Sequence, residues 1–335
     1  MIKRLLTIVI PTRNRFDLLE LCLQSVFQRQ HDLPKVFVSD NSTQQLRQME
    51  ELRRHYPFSY VRQSGTLSMV EHHNACLRLP ETPWALLLHD DDELYPDALS
   101  KLGNFLEKPV DVGVVVGGFQ RIDAHSAVQR GWTPQAMEIL RGEQGVLRLG
   151  LDFKAHPPST VYRVAAFREA GGFPDALGSS GDYPLILRLT HAYGVAFFPE
   201  VLGRYRVGQH QSTSFNLNGA ERTLDETIRM SNLARAIGVS SSVADQLADY
   251  NTWWIFRIIA GNWFSSHPFF VSRLFRKCLL STPSIGYWKS RVKQEYPVLF
   301  FRPRWLSILF YKTAKTILPR AMRRRLGHYT RALLA

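Results

Sequence analysis

Cysteine is scarce in this sequence: Cys22, Cys76 and Cys278 are the three in 335 residues, far apart and with no CxxC pair. That excludes a disulfide framework and a zinc ribbon, and it fits a reducing compartment. Long hydrophobic runs are also missing. Arg or Lys interrupts even the most apolar C-terminal segments, so none reaches the roughly 18 uncharged residues of a spanning helix. The apolar start Leu5–Ile10 is cut by Pro11, Arg13 and Arg15, which leaves it short of a signal-peptide core. On this reading the chain is cytoplasmic, with no span. Pro11–Arg15 contains no glycine, against a Gly-rich phosphate loop, and no nucleophile elbow or Cys–His arrangement is found. The last absence is local. Residues 268–335 hold fifteen Lys or Arg and one acid, Glu295, a charge of +14 that leaves −1 for residues 1–267.

What is present supports a folded protein. Hydrophobic residues make up 45% and charged residues 21%, enough for a core, and the length suits a main domain with an appendage. Leu6–Ile10 closed by Pro11 reads as a buried strand. Leu19, Cys22, Leu23 and Val26 then recur at helical spacing. Lys35–Ser39, Trp84–Leu88, Val112–Val116 and Val195–Phe198 are further strand candidates, and Asp182–His191 is helix-compatible. Strands separated by helices predict a doubly wound, mostly parallel α/β sheet with ligands at the carboxyl ends of its strands. Past about residue 220 the pattern turns helical, with Thr223–Ile237 and Ser242–Ala260 as candidates. The expected division is 1–220, a catalytic domain, and 221–335, a helical extension.

Polar residues gather where the strands end. Thr12-Arg13-Asn14 follows the first and Asp40-Asn41-Ser42 the second, and His89-Asp90-Asp91-Asp92 follows Trp84–Leu88. Three adjacent carboxylates repel one another unless a cation sits among them, and hard oxygen donors suit Mg²⁺ or Mn²⁺. A solvated acidic turn ahead of a helix near Pro96 has the same sequence. Asp40 reads either as a ligand contact or as an Asx turn. Asp182 precedes a helix whose early Pro184 also suits an N-cap reading. His210, in a polar stretch after Tyr205-Arg206, is a candidate ligand or an ordinary surface histidine.

Together, Thr7-Ile8-Val9-Ile10-Pro11-Thr12-Arg13-Asn14-Arg15, Val38-Ser39-Asp40-Asn41-Ser42, Leu88-His89-Asp90-Asp91-Asp92-Glu93-Leu94-Tyr95-Pro96, Gly171-Gly172-Phe173-Pro174, Gly181-Asp182-Tyr183 and Tyr205-Arg206-Val207 resemble the ordered motifs of family-2 glycosyltransferases with the GT-A fold, of the bacterial envelope-polysaccharide type. The likeness spans roughly residues 5–215. It implies a nucleotide-sugar donor, a divalent metal (Mg²⁺ or Mn²⁺) on its diphosphate, and inversion at the anomeric carbon. It further implies that Pro11, Thr12, Arg13, Asp40 and Asp90 serve the nucleotide, that Asp91, Asp92 and His210 are metal candidates, and that Asp182 is the general base. Two positions depart from the pattern. Counting back from Pro96, the usual first Asp of the DxD aligns with His89, and the acid usually found before the catalytic Asp is Gly181.

The basic tail admits two placements. On a helix through Arg304–Leu318, Leu306, Leu309, Phe310, Thr313 and Ile317 form one stripe opposite Lys312 and Lys315, and Arg320, Arg323, Arg324 and Arg325 follow. That is the pattern of an interfacial helix on an anionic membrane; the same stripe also suits packing on the main domain. The membrane placement predicts a peripheral enzyme on the inner face of the plasma membrane, acting on a lipid-linked or cell-envelope glycan, with no nucleic-acid partner. The rival functions are a nucleic-acid arm on a degenerate glycosyltransferase fold and a sugar nucleotidyltransferase.

Overall fold

The computed structural model describes residues 2–28, 32–43, 47–174, 182–207 and 236–263, with a few single positions besides. His210, the stripe of 304–318 and most of 223–237 lie outside the described residues. The chain forms two compact units, Met1–Leu247 and Ala248–Ala335.

The first unit holds ten strands: β1 (Leu6–Thr12), β2 (Lys35–Asp40), β3 (Ser59–Arg62), β4 (Trp84–Leu87), β5 (Glu93–Leu94), β6 (Val114–Ile122), β7 (Val128–Trp132), β8 (Glu138–Leu140), β9 (Thr160–Arg163) and β10 (Val195–Arg206). Eight of them lie in the order β3-β2-β1-β4-β9-β6-β10-β5; β7 adds to β6 and β8 to β10. Neighbours from β3 to β4 run parallel, as do β6 and β10, while β9 is antiparallel to both β4 and β6. The doubly wound half is therefore as the periodicity predicts. The antiparallel insertion of β9 is not visible in it, because pairing direction leaves no mark on a short buried run.

Eight helices lie among the described residues: α1 (Phe16–Phe27), α2 (Arg47–His55), α3 (Met69–Arg78), α4 (Ala98–Leu106), α5 (Gly142–Leu151), α6 (Val164–Glu169), α7 (Asp182–Tyr193) and α8 (Ser241–Trp263). None is long and apolar enough to cross a membrane. β1 is buried along its length, so its alternating side chains feed two cores. Ile8 and Ile10 join Leu19, Cys22, Leu23 and Val26 of α1, whereas Val9 joins Val70 and Leu77 of α3 together with Leu185 and Leu189 of α7. Leu86 faces the first core, and Ala85 and Leu87 the second. Helices on both faces thus fix the middle of the sheet, and the carboxyl ends of β1, β2 and β4 emerge side by side. The registers Thr12↔Asp40 and Val9↔Leu87 bring them level.

A candidate donor and metal site at the strand ends

The chain leaves β1 at Thr12, whose hydroxyl donates to Asp90 Oδ2 at 2.8 Å. Asn14 then turns at φ 57°, in the left-handed region, which asparagine tolerates better than most residues. Its backbone N–H donates to Ser42 Oγ at 2.9 Å, and its side-chain oxygen accepts from the Thr43 N–H at 3.1 Å. The loops after β1 and β2 are tied together by these bonds.

Asp40 ends β2 with its carboxylate fully engaged. Oδ1 accepts from the Ser42 N–H at 2.8 Å, the Asx turn; Oδ2 accepts from the Tyr60 hydroxyl at 2.8 Å and from Arg62 Nη1 at 2.6 Å. These donors hold its pKa below the usual carboxylate range despite burial. Its neighbour Asn41 clamps the next loop, donating to the Leu67 carbonyl at 2.9 Å and accepting from the Leu67 N–H at 3.0 Å.

The acidic run after β4 is not a solvated turn. Asp90, Asp91, Asp92 and Glu93 are all buried, at 0 to 5% exposure. Arg15 stands at the start of α1, makes no side-chain capping bond, and turns its guanidinium to the run. Nη1 donates to Asp91 Oδ2 at 2.8 Å, Nε to Asp90 Oδ2 at 3.3 Å, and Nη2 pairs with Asp90 Oδ1. From the other side Arg206, itself 1% exposed, fastens the backbone and the last acids. Its N–H donates to Asp92 Oδ1 at 2.9 Å, Nε to the Asp91 carbonyl at 2.8 Å, and Nη2 to Glu93 Oε1 at 2.8 Å. This explains the sequence pair Tyr205-Arg206: the arginine is scaffold for the acids.

Arg204 adds a third cation, its Nη1 donating to Glu93 Oε2 at 3.4 Å, yet three do not exhaust the run's demand for positive charge. Burial, with Asp91 alongside, pushes Asp92 well above the ordinary carboxylate range, and burial raises Asp90 to about 7 against the pull of Arg15. Asp92 Oδ2 is buried with no hydrogen-bond partner among the described residues. His89, Asp91 and Asp92 each offer a donor atom, all within 4.8 Å of one another. A buried carboxylate oxygen with no donor, beside a second carboxylate and an imidazole, is a donor set that fits a divalent cation. Asp90 is placed differently. Thr12 and Arg15 occupy both its oxygens, so it steadies the loop after β1.

A cavity of about 250 Å³ opens over these strand ends, and Pro11, Thr12, Arg13, Asn41, Asp91 and Asp182 line it. Asp40 is not among the lining residues; it sits beneath them. Asp182 is the first residue of α7 and accepts from the Tyr183 N–H at 2.8 Å, the local bond of a helix start. Burial nonetheless pushes its pKa up to about 6. Asp182 and Asp91 thus face one cavity from two segments that the sequence separates by 90 residues. The Gly171-Gly172-Phe173 turn is held by Asn74, which donates to the Phe173 carbonyl at 3.0 Å and accepts from its N–H at 2.8 Å. Gly172, at φ 83°, has Asn74 where a Cβ would stand, so glycine is required there.

Sequence reasoning missed the ring of aromatic and imidazole side chains in the cavity. His72, His73, His89, His156 and Tyr205 all line it. His156 stacks on Tyr205 with ring centres 4.5 Å apart, and His73 lies against His89 at 4.8 Å. His72 is bonded to Ser39 Oγ at 3.0 Å, and burial lowers its pKa to about 4. The one available signal was the alignment of His89 with a position where the motif carries an acid. Nothing in the spacing of His72, His73 or His156 announced a shared cavity.

Comparison with known proteins agrees with this geometry. The profile described as glycosyl transferase family 2 matches residues 7–171. A relative from Mycobacterium tuberculosis (strain CDC 1551 / Oshkosh), the uncharacterized protein MT1568, is 25% identical over 211 residues. The match takes in 60% of this chain and 66% of the relative's length. Among solved structures, S. aureus TarS 1-349 in complex with UDP-GlcNAc superposes with a TM-score of 0.60 at 17% identity, over 98% of this chain and 92% of TarS 1-349. The mannosyltransferase PcManGT from Pyrobaculum calidifontis, in complex with GDP-Man and Mn²⁺, gives 0.52 at 14% identity, over 93% and 86%. These likenesses establish a common fold. The family profile spans the loops after β1, β2 and β4, so residues 7–171, just under half of the chain, match glycosyl transferase family 2.

Proposed function

We propose that the protein transfers a sugar from a nucleoside-diphosphate sugar to an acceptor hydroxyl by direct displacement, with inversion at the anomeric carbon. The observation that carries this reading is the shared cavity. Asp91, from the buried acid cluster in which Asp92 keeps an oxygen with no partner among the described residues, and Asp182, raised to about 6, both line it.

In this reading the nucleotide lies along Pro11, Thr12, Arg13 and Asn41, with Asp40 shaping the base pocket through the backbone it holds. Asp91 and Asp92 hold Mg²⁺ or Mn²⁺, and His210 is a further candidate ligand. When bound, the cation neutralises charge on the departing diphosphate as a Lewis acid. Asp182 accepts the proton of the acceptor hydroxyl, so the oxygen attacks from the face opposite the leaving group. A pKa near 6 leaves Asp182 ionised at neutral pH yet basic enough to take that proton. Asp90, held by Thr12 and Arg15, keeps the loop after β1 against the acids.

We also keep the division of residues 1–220 as the catalytic domain and 221–335 as a helical, basic extension. The +14 charge of residues 268–335 suits an anionic membrane surface, and hence a lipid-linked or cell-envelope glycan as acceptor at the inner face of the plasma membrane. The test is a panel of nucleoside-diphosphate sugars offered to the purified full chain with Mn²⁺, Mg²⁺ or excess chelator, scored by calorimetry and by slow donor hydrolysis. Metal-dependent binding and hydrolysis of at least one donor is the expected result. Binding of none, under any metal condition, overturns the reading.

A further inference from the structure

We infer that His89 is itself a ligand of the divalent ion, and that it makes the site prefer a transition-metal cation such as Mn²⁺ over Mg²⁺. The inference rests on the metal-assisted reading above and deepens it. Three observations carry it. His89 leaves β4 immediately ahead of the acids, at the one station of the DxD pattern where this chain has no carboxylate. Its ring nitrogen comes within 4.8 Å of carboxylate oxygens of Asp91 and Asp92. The ligands of one ion with bonds of about 2.1 Å stand at most about 4.2 Å apart, so the three need close only by several tenths of an ångström. The orphaned Asp92 Oδ2, buried in the same cluster, supplies an independent pointer to a cation.

The donor set then decides the ion. Mg²⁺ binds oxygen almost exclusively, whereas imidazole suits the later divalent metals. One imidazole with two carboxylates therefore discriminates where three carboxylates would not. Ring orientation is supported too, since His73 lies against His89 with the planes 35° apart and restricts how the imidazole turns. Arg15 contacts Asp91 through Oδ2, so the carboxylate can serve both cations through its two oxygens.

The experiment uses Mn²⁺ alone as probe on the full-length chain. Electron-spin-echo spectra of the Mn²⁺-loaded protein, taken in a His210→Gln background so that the other candidate imidazole is silent, should show nitrogen modulation from a directly bound imidazole, and His89→Asp should remove it. In competition titrations, the Mn²⁺ to Mg²⁺ affinity ratio should fall about tenfold or more in His89→Asp, with Mn²⁺ still bound. A wild-type spectrum without nitrogen coupling overturns the inference, and so does coupling that persists in His89→Asp. An unchanged metal ratio in a folded variant does the same. If His89→Asp does not fold, as judged by its melting transition, His89→Ala is read in the same spectra. Nitrogen coupling lost in either variant, in a protein that binds no nucleotide sugar, would uphold the ligand and sink the transferase reading, so the two failures are distinguishable.

Discussion

The ends of β2 and β4 each bury an aspartate next to an arginine, and they behave oppositely. At β2, Asp40 has a full set of donors from Ser42, Tyr60 and Arg62, and its pKa lies below the usual range. At β4, Arg15, Arg204 and Arg206 serve four acids between them, Asp92 keeps an oxygen with no partner among the described residues, and Asp90 and Asp92 are raised. Burial is common to both, so it does not separate scaffold from site. What separates them is whether protein donors balance the charge. A satisfied carboxylate is a structural joint, while an unsatisfied cluster is built for a ligand.

The largest effect should come from removing the unbalanced end. Asp91→Ala should abolish transfer together with metal-dependent donor binding, a loss of several kcal/mol in transition-state stabilisation. Calorimetry with donor in the presence of metal and of excess chelator checks it. If the variant binds donor like wild type in metal, the comparison of the two strand ends loses its functional half.

Asp182→Asn should act on the acceptor side only. Donor binding should stay within a few-fold, while turnover falls about 10²–10⁴ because the amide accepts no proton. Wild-type turnover should also rise with pH through about 6, where the half-buried Asp182 ionises, since only the deprotonated form is a base. A flat profile between pH 5 and 7 would show that the proton goes elsewhere.

The satisfied end is tested through stability. Arg62→Met leaves Asp40 buried with one donor fewer and should cost about 1–3 kcal/mol in chemical denaturation, near the lower figure because Arg62 is one-third exposed. That cost should appear only above the acid range, because Arg62 helps hold the Asp40 pKa down and protonation at low pH removes the pair. A large turnover loss at unchanged stability would mean that Asp40 belongs to the chemistry after all.

The smallest catalytic effect is expected at the tail. Changing Arg320, Arg323, Arg324 and Arg325 to Gln should release the protein from anionic vesicles, since each basic residue near the surface contributes on the order of 1 kcal/mol. Hydrolysis of a soluble donor should hardly change. Sedimentation with vesicles at physiological salt reads the first, and a donor-hydrolysis assay the second.

The sequence by itself determined the middle of the sheet and the stations on it. Continuous apolar runs at Leu6–Ile10 and Trp84–Leu88 can be buried only as central strands, and helical spacing in Leu19–Val26 covers one face. Local chemistry therefore placed Thr12, Asp40, the acidic run and Asp182. Tertiary structure alone decided how those residues share their charges. Whether Asp40 meets Arg62, whether Asp90 is taken by Arg15, and whether His89 turns toward Asp91 and Asp92 depend on side chains from distant segments meeting at one strand edge. Spacing records which face a residue lies on, but a hydrogen-bond balance is a property of the assembled neighbours, and it exists only once they are packed.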